Sequence, residues 1–330
     1  MWDLGLNPKA VAVVCLALCS ALARAQSEPS PDKETERLQE LEKEHAKTLK
    51  ELGELAGELS LAYKLGLDEA LSAYEALWAG LKQGPEGSQQ WSDFVDATTL
   101  KFSQDNSVPL NKELLKSLRT QFSSLARNAQ DEDAALICHV NPDLKAQEER
   151  LRKTLTTVAA AAANFLDQHK EVLKSAGIKT DDLAARTQDA LKLTKEAAGL
   201  FAKLKKVEVF TVTGAASWQN TGLKVKDGDR VRVLAIGMMN SGGLSPENLG
   251  PVGIDKWPTY RVAAKVNYGA TIARVEGMEV EVYSTGASGW FEADRTGIVF
   301  LRPNSTGPMT GAYIAIIGIE KKQKGEDEDD

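Results

Sequence analysis

The chain is poor in cysteine and histidine, with three of each in 330 residues. His45, His139 and His169 stand far apart, and no histidine follows residue 169. That spacing excludes a histidine–cysteine metal cluster. The stretch after residue 169 cannot hold a histidine-based catalytic triad of its own. Cys15 and Cys19 lie near the start, and only Cys138 lies beyond them. One cysteine builds no disulfide framework, so packed cores must stabilise the chain. Cys138 sits in the apolar stretch AALICHV and reads as a buried small hydrophobe, with an intermolecular disulfide as the alternative. Excess positive charge is also missing. Forty basic residues face 47 acidic ones, the net charge is -7 and the pI is near 5.3. Nucleic acid and anionic membrane surfaces are therefore poor partners. Nucleophile elbow, phosphate loop, paired metal ligands and a catalytic cysteine–histidine arrangement are not found, so the chain does not read as an enzyme.

Long apolar runs are scarce as well. The one clear run, AVAVVCLALCSALA at 10–23, is shorter than the roughly 20 residues that span a bilayer. It follows Lys9 and leads to Ala23-Arg24-Ala25, small residues placed as at a secretory cleavage site. Residues 1–25 are thus expected to be a signal peptide, with 26–33 a linker. The mature protein is expected to be secreted or periplasmic, without a membrane span.

What the sequence has in quantity is a change of pattern near residue 206. From 34 to 206 it is rich in Ala, Leu, Lys and Glu, with apolar residues at helical spacing. Leu38, Leu41, Leu49, Leu52, Leu55 and Leu59 mark one face of a helix. The stretch 59–81 is more broadly apolar and predicts burial on several sides. GPEG at 84–87 breaks the pattern. Asn111 can cap a helix carrying Leu118, Phe122 and Leu125. Asn141-Pro142 opens another that Gly177 ends, and a last one begins near Thr180. The expectation is a helical bundle, with a short coiled coil as the alternative.

From 207 to 320 the pattern changes to short alternating Val, Ile, Tyr and Phe runs separated by Gly, Pro and Asn. Strands are expected at 207–214, 218–226, 230–237, 263–268, 279–284, 296–303 and 311–319. They predict an all-β sandwich, and KKQKGEDEDD at 321–330 a charged disordered tail. The fold class is therefore multidomain α and β.

Several motifs in this half, TGLKVKDGDRVRVLAIG, GPVG at 250–253, GIVFLRPN at 297–304 and GAYIAIIGI, carry a resemblance. They resemble the calcium-dependent galactophilic bacterial lectins, a family of small jelly-roll β-sandwiches. The resemblance covers about a third of the chain and implies binding of a galactoside-like glycan. It also implies a calcium site at Asn304 and Thr306, where the family pattern has an Asp and further loop oxygens. Here an uncharged amide replaces the carboxylate and the loop is shorter, which weakens the oxygen set that calcium requires. The family's polar sugar contacts align with Trp257 and Tyr260. Trp257, Tyr260, Asn304 and Thr306 are accordingly the candidate sugar-binding residues, and Trp290 is a further exposed-aromatic candidate. The resemblance and composition together predict a secreted lectin-like protein whose helical region oligomerises or spaces it, with self-association raising avidity. The other reading is a non-catalytic interaction protein whose sandwich has lost sugar and calcium binding.

Overall fold

The computed structural model describes residues 31–83, 89–90, 93–94, 96–97, 100, 104, 112–128, 130–243, 248–277 and 282–321. The expected signal peptide, the GPEG break, the Asn111 cap and the tail after 321 lie outside them. Among the described residues, five helices of ten or more residues come first: α1 (Pro31–Gln83), α2 (Lys112–Arg127), α3 (Asp131–Val140), α4 (Pro142–Ser175) and α5 (Asp181–Lys203). Nine strands follow: β1 (Leu204–Thr213), β2 (Gln219–Val225), β3 (Asp229–Asn240), β4 (Asn248–Leu249), β5 (Thr271–Val275), β6 (Tyr283–Ser284), β7 (Ser288–Glu292), β8 (Gly297–Pro303) and β9 (Thr310–Lys321). The change from helix to strand thus falls at Leu204. Helix α1 begins at Pro31, inside the expected linker, because proline suits a first helical turn that needs no N–H. Among the described residues, no helix is long and apolar enough to cross a membrane.

The chain divides into two compact units. The first comprises, of the described residues, 31–59 and 169–179. Here Gly53 lies against Ala176 with no room for a Cβ, and Gly57 lies beside Ile178. The leucine run on α1 stays largely open: Leu38 is 58% exposed, and Leu41, Leu49 and Leu55 are exposed too. It contributes no bundle core among the described residues.

The second unit comprises residues 60–168 and 180 onward. Its helices bury the apolar positions expected of 59–81, among them Leu67, Leu71, Tyr74, Leu77 and Leu81. The buried Tyr74 hydroxyl donates to Glu148 at 2.8 Å, and Glu148 also meets Arg152 at 3.0 Å. Helix α4 starts as expected, with Asn141 Oδ1 accepting the N–H groups of Asp143 and Leu144 at 3.0 and 3.2 Å.

The strands form two antiparallel sheets. One is ordered β1-β9-β3-β4, with β7 also paired to β3; the other is ordered β2-β8-β5-β6. Val231, Val233, Ala315, Ile317, Val299 and Leu301 fill the core between them. Alternate residues of the same strands face the helices. Leu234, Ile236, Ile314 and Ile316 join one core with Phe122, Leu136 and Ile137. This double burial explains the unbroken apolar run AYIAIIGI in β9, since neither face meets water. Gly318 lies where α3 comes closest, and a Cβ there would strike the Leu136 side chain. Arg232 on β3 is buried against α3 and forks onto Asp133, with Nε–Oδ1 2.6 Å and Nη2–Oδ2 2.9 Å. The end of the helical sequence is therefore no boundary between cores.

Two strand expectations are corrected. Residues 263–267 form no strand, Tyr268 makes a single bridge to Ile254, and the strand lies at Thr271–Val275 instead. Of 279–284, only Tyr283–Ser284 is a strand among the described residues.

Candidate functional site

Between β4 and β5 the chain leaves the sandwich for about twenty residues. Its exit is tightly built. Ile254 and Tyr268 form an antiparallel bridge, with N–H to carbonyl distances of 3.0 and 2.9 Å. Thr271 N–H donates to Pro251 O at 2.9 Å. Gly253, the last residue of GPVG, has φ 67, and a Cβ there would collide with Tyr268 O and Ala270 N. Below this neck the Tyr313 hydroxyl lies 3.3, 3.2 and 2.8 Å from the carbonyls of Leu249, Gly250 and Gly269. One side chain on β9 thus holds both ends of the excursion. Burial raises the Tyr313 pKa, so its proton stays in place as a donor.

The neck isolates a lobe, residues 255–267. Three side chains brace it. Asn304, just past β8, is wholly buried. Its Oδ1 accepts Ala263 N–H at 2.8 Å, and its Nδ2 faces the carbonyls of Ala263, Val266 and Asn267 at 3.0, 2.7 and 3.1 Å. Arg261 folds back under the lobe. It donates to Lys256 O at 3.0 Å, Ala264 O at 3.3 Å and Asp255 Oδ1 at 2.7 Å. Trp257 packs edge-on against Tyr268, with ring centroids 5.4 Å apart. Its φ of 49 and ψ of 62 make it the one non-glycine at positive φ among the described residues. A bulky residue there costs about 1–3 kcal/mol, which the braces must offset.

The structure therefore brings together the four residues expected from sequence, but in different capacities. Tyr260 is 44% exposed, and its carbonyl accepts the N–H of Thr306, itself exposed, at 2.8 Å. Trp257 is half-buried beside them, with Lys256 Nζ 5.9 Å from its ring centre. Asn304 is corrected from a contact residue to a clamp, because its oxygen is turned inward to an amide N–H. The implied calcium site does not fit these residues for the same reason. Among the described residues, no three carboxylates, histidines or cysteines group together either.

No family model matches the sequence, and no curated protein matches it. Among solved structures, the chain is similar in part to the N-terminal domain of EclA, described as a PllA-like lectin. The identity is 18% and the TM-score 0.28, over 36% of this chain and 99% of that domain.

The sequence reading missed Arg261 and Tyr313. Both are ordinary residues in their local patterns, and only the folded neck shows what they hold. Trp290 lies elsewhere, on β7. It is 52% exposed, with the Arg230 guanidinium 4.6 Å from its ring centre. Cys138 is buried and free, as its apolar setting predicts.

Proposed function

We propose that this chain is a non-catalytic carbohydrate-binding protein that acts without calcium. The lobe at 255–267 receives a galactoside-like sugar against Trp257 and Tyr260, with Thr306 supplying a hydroxyl. The observation that carries the reading is Trp257, a bulky residue kept in a left-handed conformation by a cross-braced lobe whose rim exposes Tyr260. Strained backbone of that kind concentrates at ligand-binding positions. A rigid aromatic rim suits the apolar face of a sugar ring and loses little entropy on binding. The resemblance of its glycine pattern to that of the galactophilic lectins supports the same choice of ligand. In this reading the protein is secreted or periplasmic, and the open leucine run on α1 serves to associate copies.

Titration of the full chain with methyl galactoside, with and without EDTA, tests the proposal. Saturable binding unaffected by EDTA and lost in Tyr260→Ala is expected. Tyr260 is exposed, so its removal leaves the core intact. Absence of binding in both buffers rejects the reading. A second reading, docking of a protein partner, is favoured by the exposed Trp290 and its Arg230 companion. It predicts a complex sensitive to Trp290→Ala and indifferent to Tyr260→Ala.

A further inference from the structure

The charges of the lobe do not balance. Residues 255–267 carry Asp255 against Lys256, Arg261 and Lys265, and the adjoining loop at 304–309 carries no charge. In a chain of net charge -7 this is a local reversal of sign. The one carboxylate is already engaged. Asp255 Oδ1 lies 2.7 Å from Arg261 Nη2, and the same guanidinium donates to the carbonyls of Lys256 and Ala264. The Arg261 side chain is 7% exposed and turned under the lobe. Asp255 and Arg261 therefore cancel, and the excess charge rests on Lys256 and Lys265, both exposed. Neither lysine forms an ion pair among the described residues.

Lys256 is the better placed of the two. It directly precedes Trp257, and its Nζ lies 5.9 Å from the centre of the indole. The ring attracts the ammonium through its electron-rich face but does not neutralise it. Trp257 O in turn accepts Tyr260 N–H at 3.1 Å, so the ammonium, the indole and the exposed tyrosine belong to one turn of chain. A neutral sugar laid on that indole would share the face with the ammonium and offer it only hydroxyls. A sugar bearing a sulfate or carboxylate would offer a counter-ion. Its oxygens accept charge-assisted hydrogen bonds from three donors for which no carboxylate of the lobe competes.

We propose that the ligand taken at this rim is an acidic galactoside, one bearing a sulfate or carboxylate, and that Lys256 selects it. The inference rests on the sugar-binding reading of Trp257 and Tyr260 and adds the charge of the ligand. Calorimetric titration of the full chain with methyl galactoside and with its 3-sulfate, at low and high salt, tests it. At low salt the sulfated sugar is expected to bind about three- to fivefold more tightly, the gain from one partly exposed ion pair. Raising the salt to 0.5 M is expected to shrink that ratio, because exposed charges are screened. Lys256→Gln is expected to abolish the ratio, while Lys265→Gln is expected to keep most of it. Circular dichroism shows that each variant is folded. Equal affinity for the two sugars in the parent overturns the selection and leaves the sugar site standing. A preference that survives in Lys256→Gln overturns the role of that residue. Inorganic sulfate binding as tightly as the sulfated sugar reduces the effect to a general anion contact and overturns the acidic-galactoside assignment. Absence of binding by either sugar rejects the sugar site itself, and this inference with it.

Discussion

Removing the carboxylate of Asp133 should unsettle the second compact unit more than any change on its surface. Asp133 and Arg232 are 2% and 7% exposed and share two short hydrogen bonds, with Ser288 Oγ 3.4 Å from Asp133 Oδ2. Asp133→Ala leaves a guanidinium buried between α3 and β3 with nothing to offset its charge. Breaking such a pair from one side costs about 3–5 kcal/mol. Domains of this kind are stable by about 5–15 kcal/mol, so the single variant should lose a large part of its margin. With a urea dependence of about 3 kcal/mol per molar, the unfolding midpoint should fall by about 1–1.7 M. The double variant Asp133→Leu with Arg232→Met replaces both charges by apolar bulk. Its midpoint should return to the parent value or exceed it, because the desolvation of both ions disappears with their attraction. Urea unfolding of the parent, Asp133→Leu, Arg232→Met and their double, followed by circular dichroism, measures the cycle, with Asp133→Ala alongside. A shift below about 0.2 M in Asp133→Ala, or a double variant as unstable as the single, refutes the argument.

Three further outcomes follow from the same geometry. Tyr313→Phe removes the hydroxyl that holds both ends of the lobe; at about 1–2 kcal/mol, amide exchange at Ile254 and Tyr268 should quicken roughly 5- to 30-fold. Burial, reinforced by Glu148, pushes the Cys138 thiol up to about 12, so native protein at pH 8 should resist a thiol reagent that reacts promptly in urea. Burial, and secondarily the Lys145 ammonium, hold His139 below the ordinary imidazole value. The unfolded chain then takes up the proton first, so the stability due to neutral His139 is complete above about pH 6.5 and is lost as pH falls toward its folded value. Urea midpoints measured from pH 7 to 5 should therefore decline less in His139→Gln than in the parent.

Much of the architecture was legible in the sequence because burial leaves periodic traces. RVRVLAIG alternates, and Val231, Val233 and Ala235 do share the inner face of the sandwich. Asn141-Pro142 announced the start of α4. The strand at 271–275 was misplaced because VAAKVNY at 262–268 is apolar enough to imitate one. In the fold those residues form the lobe, held by Asn304 rather than by a neighbouring strand. Helix α3 left no clear signal either. Its ten residues are buried on most sides, which erases the amphipathic stripe by which a helix is recognised. The candidate site was legible as a set of positions but not as a set of roles. The resemblance read from the sequence grouped Asn304 with Trp257 and Tyr260. Whether its amide faced outward or inward depended on Ala263, some forty residues away.

The neck at Ile254 and Tyr268 closes before the lobe begins, and the tyrosine beneath it grips only main-chain carbonyls. None of those contacts reads the side chains carried between 255 and 267. The scaffold is therefore indifferent to most of what it displays, provided that a residue can pass through the bend at 257 and an arginine can tuck under at 261. Recognition could be rewritten across that short stretch while the underlying strands stayed as they are, much as a tool holder accepts different bits.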